Sequence, residues 1–173
     1  MKKNIIKTSI VLYGEIKNDS VIWKKWYEYA KSFIEKVGYC PNYVGISGQS
    51  FKSKHILSIS RIEKKFIKTV ENGETFDSLE VYSLPPNFNQ AAFDYEIHMA
   101  RICSYEPHFI LATLLQKDFL KIDVDNVINE LKEFINFKNG QIFEMTNPES
   151  PFFYAAKVNP VSYYKSLKIL KEI

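Results

Sequence analysis

From Phe76 to Leu114 the chain reads FDSLEVYSL, then PPNFNQ, then AAFDYEIHMARICSYEPHFILATL. Its reading decides the fold. Three consecutive strands are expected here, joined by a stiff proline-led loop from Pro85 to Gln90 and a tight turn at Ser104-Tyr105-Glu106-Pro107. In the middle strand Phe93, Tyr95, Ile97 and Met99 alternate with Asp94, Glu96 and His98. A period of two sends these sets to opposite faces of a sheet. One face is expected to be buried and the other polar and acidic. The third strand, from His108 to Leu114, is mostly apolar and reads as fully buried.

On the N-terminal side, Ile5 to Ile16 forms a first strand. Ile10, Leu12 and Gly14 face one way and Val11 and Tyr13 the other, which suits a central position in the sheet. Asp19 or Ser20 caps a first helix from about Val21 to Val37. Trp23, Trp26, Tyr27, Ala30, Phe33, Ile34 and Val37 make its apolar stripe, and Gly38 closes it. A short strand follows at Tyr43 to Ser47. The segment Gly45-Ile-Ser-Gly-Gln-Ser50 lacks the glycines and helix start of a phosphate-binding fingerprint, so it reads as an ordinary loop running to about Leu57. Ser60-Arg61-Ile62-Glu63 reads as the capping box of a second helix, ended by Asn72-Gly73.

Beyond the central stretch, Asp123 or Asp125 caps a third helix, from about Val124 to Phe137, with Gly140 as its stop. A strand from Gln141 to Met145 follows. Asn159-Pro160 is expected to open a C-terminal helix. The fold class is α+β: one layered domain, residues 1–173, with a mostly antiparallel sheet and helices packed on one face. No repeat period or low-complexity tract is present.

Composition narrows the function. The 173 residues are 46% hydrophobic and 25% charged, close to the globular average, and 15% aromatic. Net charge is +3. The basic residues are nearly all Lys, with Arg61 and Arg101 the two arginines, so a nucleic-acid partner is not indicated. Lys2 and Lys3 before an apolar run imitate a signal peptide. Lys7, Thr8 and Ser9 break that run and no small-residue cleavage site follows, so a cytoplasmic protein without a membrane partner is expected. Cys40 and Cys103 sit in no metal or redox spacing and read as free thiols.

The best chemical constellation is Asp94, Glu96 and His98 on one strand face, with Glu80 and Tyr82 on the preceding strand beside them. Carboxylates with an imidazole can serve as acid and base or hold a divalent metal. Plain strand alternation gives the same spacing, so a polar or partner-facing sheet surface weighs above a catalytic one. No Cys/His or Ser nucleophile signature accompanies it. No catalytic residue, cofactor or metal is therefore assigned. Glu80, Tyr82, Phe88 at the loop tip, Asp94, Glu96 and His98 are the candidate partner-binding residues.

In size, composition and layout the chain resembles the immunity proteins of bacterial toxin systems such as contact-dependent inhibition. The resemblance carries no motif, so no residue role transfers. It implies a protein-binding module that neutralises a cognate toxin domain. That partner would be basic, such as a nuclease, and an acidic face would complement it. The alternative from another class is a small enzyme acting on a nucleotide or other small molecule through the acidic and His strand face. A homodimer formed through the sheet is the third reading.

The redox reading is directly testable. Thiol titration of the denatured protein without reductant should find both Cys40 and Cys103. Finding neither would overturn it.

Overall fold

The computed structural model describes residues 4–52 and 55–173. Lys2 and Lys3, and Ser53 and Lys54 of the expected loop, lie outside the described residues. In chain order the strands are β1 (Ile6–Glu15), β2 (Tyr43–Gly48), β3 (Leu57–Ser58), β4 (Phe76–Ser83), β5 (Ile97–Ile102), β6 (His108–Leu115), β7 (Asn136–Thr146) and β8 (Lys168–Glu172). The helices are α1 (Ser20–Val37), α2 (Ile59–Glu71), α3 (Ala91–Asp94), α4 (Gln116–Phe119), α5 (Val124–Lys132) and α6 (Pro151–Ala155). All eight strands join one sheet in the order β3-β2-β4-β5-β6-β1-β7-β8. Every neighbouring pair is antiparallel. The α+β class expected from the sequence is the class observed.

One face carries the main core. Ile10 and Leu12 of β1, Leu79 and Val81 of β4, Ile97 and Met99 of β5 and Ile110 and Ala112 of β6 meet the apolar stripes of α1, α2 and α5. Trp23, Trp26, Phe33 and Ile97 are all buried in this one cluster, as the helical stripe required. The α1 ends are also as read. The Asp19 carboxylate accepts from the Val21 and Ile22 amides, and Gly38 closes the helix at φ 111, a left-handed turn that favours glycine. Both indoles are satisfied: Trp26 Nε1 donates to the Leu79 carbonyl at 3.1 Å and Trp23 Nε1 to Asn18 Oδ1 at 2.6 Å.

Arg101 lies on this same face, wholly buried. Its guanidinium stacks over the Trp23 ring at 4.3 Å. It donates to the Phe134 and Lys17 carbonyls at 3.0 and 3.1 Å. Burial lowers its pKa to about 10, with Cys103 and Asp19 pulling the other way.

The opposite face is not the open polar surface that alternation suggested. Val11, Tyr13, Ala100, Phe109, Leu111 and Phe143 are buried there beneath Tyr154, Ala155 and Ala156 of the α6 region and Tyr164. Two boundaries explain the rest. The middle strand starts at Ile97 rather than Phe93, because the Asp94 carboxylate accepts from the Asn89 and Gln90 amides at 2.8 and 2.9 Å and closes the short turn of α3. Tyr95 consequently sits with His98 and Tyr82, not with Ile97 and Met99.

Three further expectations are corrected. α2 begins after Ser58, whose side chain makes no cap, and Glu63 reaches across to α1 instead of back to Ser60. It accepts from Tyr27 Oη at 2.8 Å and Lys31 Nζ at 2.6 Å. The third helix stops at Lys132 and β7 starts at Asn136, so Gly140 is a strand residue. A Cβ there would lie 2.5 Å from the Val11 carbonyl oxygen, so the close approach of β7 to β1 requires glycine. The C-terminal helix is absent. Pro160 precedes one 3-10 turn, Val161–Tyr163, after which the Glu149 carboxylate accepts from the Lys165 and Ser166 amides and residues 168–172 pair with β7 as β8.

Trp23 should be a stability hot spot, since it fills the α1–sheet interface and also carries Arg101. Trp23→Ala should lower unfolding free energy by about 3–5 kcal/mol, measured by urea denaturation. A loss below about 1 kcal/mol would show that this interface is not the principal core.

Candidate functional site

The ladder registers put Tyr43, Tyr82, His98, Thr113 and Ser9 opposite one another in a single row across five strands. This row occupies the face away from the long helices. His98 Nε2 contacts Glu80 Oε2 at 2.6 Å, and Tyr82 Oη donates to the same oxygen at 2.5 Å. The imidazole stacks on the Tyr82 ring, with centroids 4.4 Å apart and planes 8° from parallel, and meets Tyr95 at 5.1 Å. Ser9 and Thr113 hydroxyls pair at 2.8 Å. His98 is 3% exposed and the Glu80 side chain 19%. Among the described residues His98 Nδ1 has no hydrogen-bond partner.

Burial pushes the Glu80 carboxyl up, but the hydrogen bond and charge of His98 and the Tyr82 hydroxyl outweigh it, so the pKa falls below the usual carboxylate value. Burial and Glu80 push the Tyr82 phenol well above its ordinary value. Glu80, Tyr82 and His98 thus form one hydrogen-bonded cluster. Among the described residues no group of three His, Cys, Asp or Glu is placed to hold a metal ion.

Next to this cluster is a cleft of about 400 Å³ at the end of the sheet. Pro85, Phe88, Phe93 and Leu115 give its apolar walls, and Asp94 and Glu96 its carboxylates. The proline-led loop is held by pairs the sequence does not announce. Phe88 is half-buried, edge-on to Tyr43 at 5.3 Å. It is not the bare loop tip expected. Asn42 donates to the Leu84 carbonyl through Nδ2 and accepts from the Leu84 amide through Oδ1. Glu96 accepts from Ser83 Oγ at 2.8 Å. Asp94 caps the turn at residues 89 and 90.

The predicted six therefore divide. Glu80, Tyr82 and His98 come together beneath the surface. Phe88, Asp94 and Glu96 line the cleft, on a loop and not on one strand face. Sequence reasoning missed Lys7, which links the two groups and is 2% exposed. Its Nζ donates to the Phe93 carbonyl at 2.6 Å and lies over the Tyr95 ring, 3.3 Å from the centroid. The available signal was its place in β1: Lys7, Ser9, Val11 and Tyr13 share one face, and a lysine on a central strand must find a partner.

Comparison with protein-family models, with curated proteins and with solved structures finds no match. Among the described residues no helix is long and apolar enough to cross a membrane.

Lys7 gives the site a pH signature. Burial lowers its pKa from 10.5 to about 7, against the pull of Asp94. Below pH 7 folded and unfolded chains both hold the proton. Between about 7 and 10.5 the folded chain has released it while the unfolded chain keeps it, so stability rises with pH. The slope is at most about 1.4 kcal/mol per pH unit. Urea denaturation at pH 6, 7.5 and 9 should show this rise in the wild type and lose it in Lys7→Met. Equal profiles for the two proteins would count against the assignment.

Proposed function

We propose that this protein is a protein-binding module of the toxin-immunity kind, and that the cleft beside the 85–96 loop is its contact surface. The observation that carries the reading is the cleft itself: apolar walls from Phe88 and Phe93 beside the carboxylates of Asp94 and Glu96. Aromatic side chains at a rigid loop are the anchors protein interfaces favour. The two prolines and the Asn42 clamp limit the entropy lost when that loop docks. Lys7 holds its proton weakly near neutral pH, so Asp94 and Glu96 dominate the charge of the cleft. A basic partner such as a nuclease toxin domain fits that sign.

The enzyme alternative needed an open acidic and His strand face. His98 and Tyr82 are buried, at 3% and 7% exposure, with Glu80 bonded to both. That arrangement leaves substrate little surface on the strand, Glu80 alone of the three keeping 19% exposure. The protein-binding reading needs none, because its residues are on the loop.

The test starts from capture by the immobilised protein from its own host. The captured protein should arrest growth when expressed alone in a bacterial cell and be harmless when co-expressed with this chain. Phe88→Ala should then shorten the lifetime of the complex, weakening affinity by about thirtyfold, the equivalent of about 2 kcal/mol. Glu96→Gln, which keeps an acceptor for Ser83, should slow association and flatten its salt dependence. A captured protein without toxicity would sink the immunity reading. Unchanged kinetics in both variants would move the interface elsewhere.

A further inference from the structure

A second pocket, of about 260 Å³, lies at the other edge of the sheet, between the turn after β2 and the start of α2. Its apolar floor is Ile46, Phe51, Leu57 and Ile62, and its rim is Lys52, His55, Arg61 and Lys65. Among the described residues no Asp or Glu lines it. Of the nearby acids, Glu63 is bound to Lys31 and Tyr27, and Glu74 accepts from Ser50 Oγ behind the pocket wall. Lys65 is already oriented, with Nζ on the Ser50 carbonyl at 2.9 Å and over the Phe51 ring at 4.6 Å. Arg61 and Lys65 are four residues apart and so share one helix face. Among the described residues Arg61 makes no ion pair.

We propose that this pocket binds a phosphomonoester carried on a compact, flat body with an apolar face, a mononucleotide being the simplest such ligand. Charge selects the phosphate end. The three cations Lys52, Arg61 and Lys65 around one small pocket repel one another until a dianion neutralises them, and the Arg fork matches phosphate oxygens in geometry. The rest of the site favours the same sign. The first turn of α2, which gives Arg61 and Ile62 to the lining, contains no acidic residue. The floor selects the body, since Ile46, Phe51, Leu57 and Ile62 reward apolar contact and offer a sugar polymer nothing to bond. The turn Gly48–Phe51 supplies two lining residues, Ser50 and Phe51, so the glycine-bearing loop with no phosphate fingerprint becomes a wall of the pocket through tertiary placement. This site is independent of the cleft proposed for protein binding.

The test is thermal shift and calorimetry on the full chain with adenosine 5′-monophosphate, adenosine and inorganic phosphate. Adenosine 5′-monophosphate should raise the melting temperature and bind more tightly than phosphate, and adenosine should do neither. Arg61→Ala and Lys65→Ala each remove one charge-assisted contact and should each weaken binding about tenfold. Both side chains are exposed, so the unliganded melting temperatures should stay close to wild type. Absence of any shift, or equal binding in the double variant, would overturn the site. Equal binding of phosphate and nucleotide would overturn the flat body. Lys7→Met must leave nucleotide binding unchanged, which separates this site from the cleft.

Discussion

β1 is the constraint on which the structure depends. It is paired along one edge with β6 and along the other with β7, and it is buried on both faces. Between Lys7 and Tyr13 such a strand leaves no side chain to solvent, so each of those residues must be settled by a neighbour. Ile10 and Leu12 are settled by the helices, Val11 and Tyr13 by the layer around α6. The polar residues Lys7, Thr8 and Ser9 are settled one by one, by the Phe93 carbonyl, Glu144 and Thr113. The two helical and irregular layers follow from this need to cover a central strand twice. Gly140 is the local cost: β7 approaches so closely that no side chain fits.

The residues that read clearly from sequence were those governed by one period. The α1 stripe gave Trp23, Trp26 and Phe33 as core because positions three and four apart share a helix face whatever lies beyond it. The doubly apolar β1 pattern placed that strand at the centre for a comparable reason. The misreadings share another cause. Asp94 looked like an outward strand residue, and its alternation with Tyr95 and Glu96 is real. Its carboxylate found backbone amides four and five residues back, and that local bond outcompeted the strand. Glu63 fitted a capping box but found Tyr27 and Lys31 on another helix. The C-terminal segment carried a good helix start in Asn159-Pro160, and the open edge of β7 outweighed it.

The candidate site was half legible. That Glu80, Tyr82 and His98 are neighbours followed from strand pairing and is observed. Their burial was not legible, because the covering atoms come from Tyr95 and from Phe152, far along the chain. Lys7 escaped notice because in the sequence it serves to break an apolar run. Its meaning depends on Tyr95 and Phe93, more than eighty residues away. The basic rim likewise straddles a loop and a helix, and no spacing rule joins Lys52 and His55 to the helical pair Arg61 and Lys65.

The buried row also explains how the sheet and the cleft are tied together. A buried carboxylate–imidazole pair adds little net stability over a well-packed apolar pair, because both groups lose their water. Its effect is on register. If β4 slipped one residue against β5, Glu80 or His98 would turn to the helix-covered face, among Leu79, Val81, Ile97 and Met99, with no partner. Leaving one such group alone inside costs far more than the pair returns. The same register sets Tyr95 beside His98 and under Lys7, and Lys7 in turn holds the Phe93 carbonyl. The back wall of the cleft is therefore fixed by the polar row through Tyr95 and Lys7. The row's part is positional: through Tyr95 and Lys7 it ties the loop that carries Phe88 and Asp94 to the sheet, while Tyr82, His98, Thr113 and Ser9 stay buried.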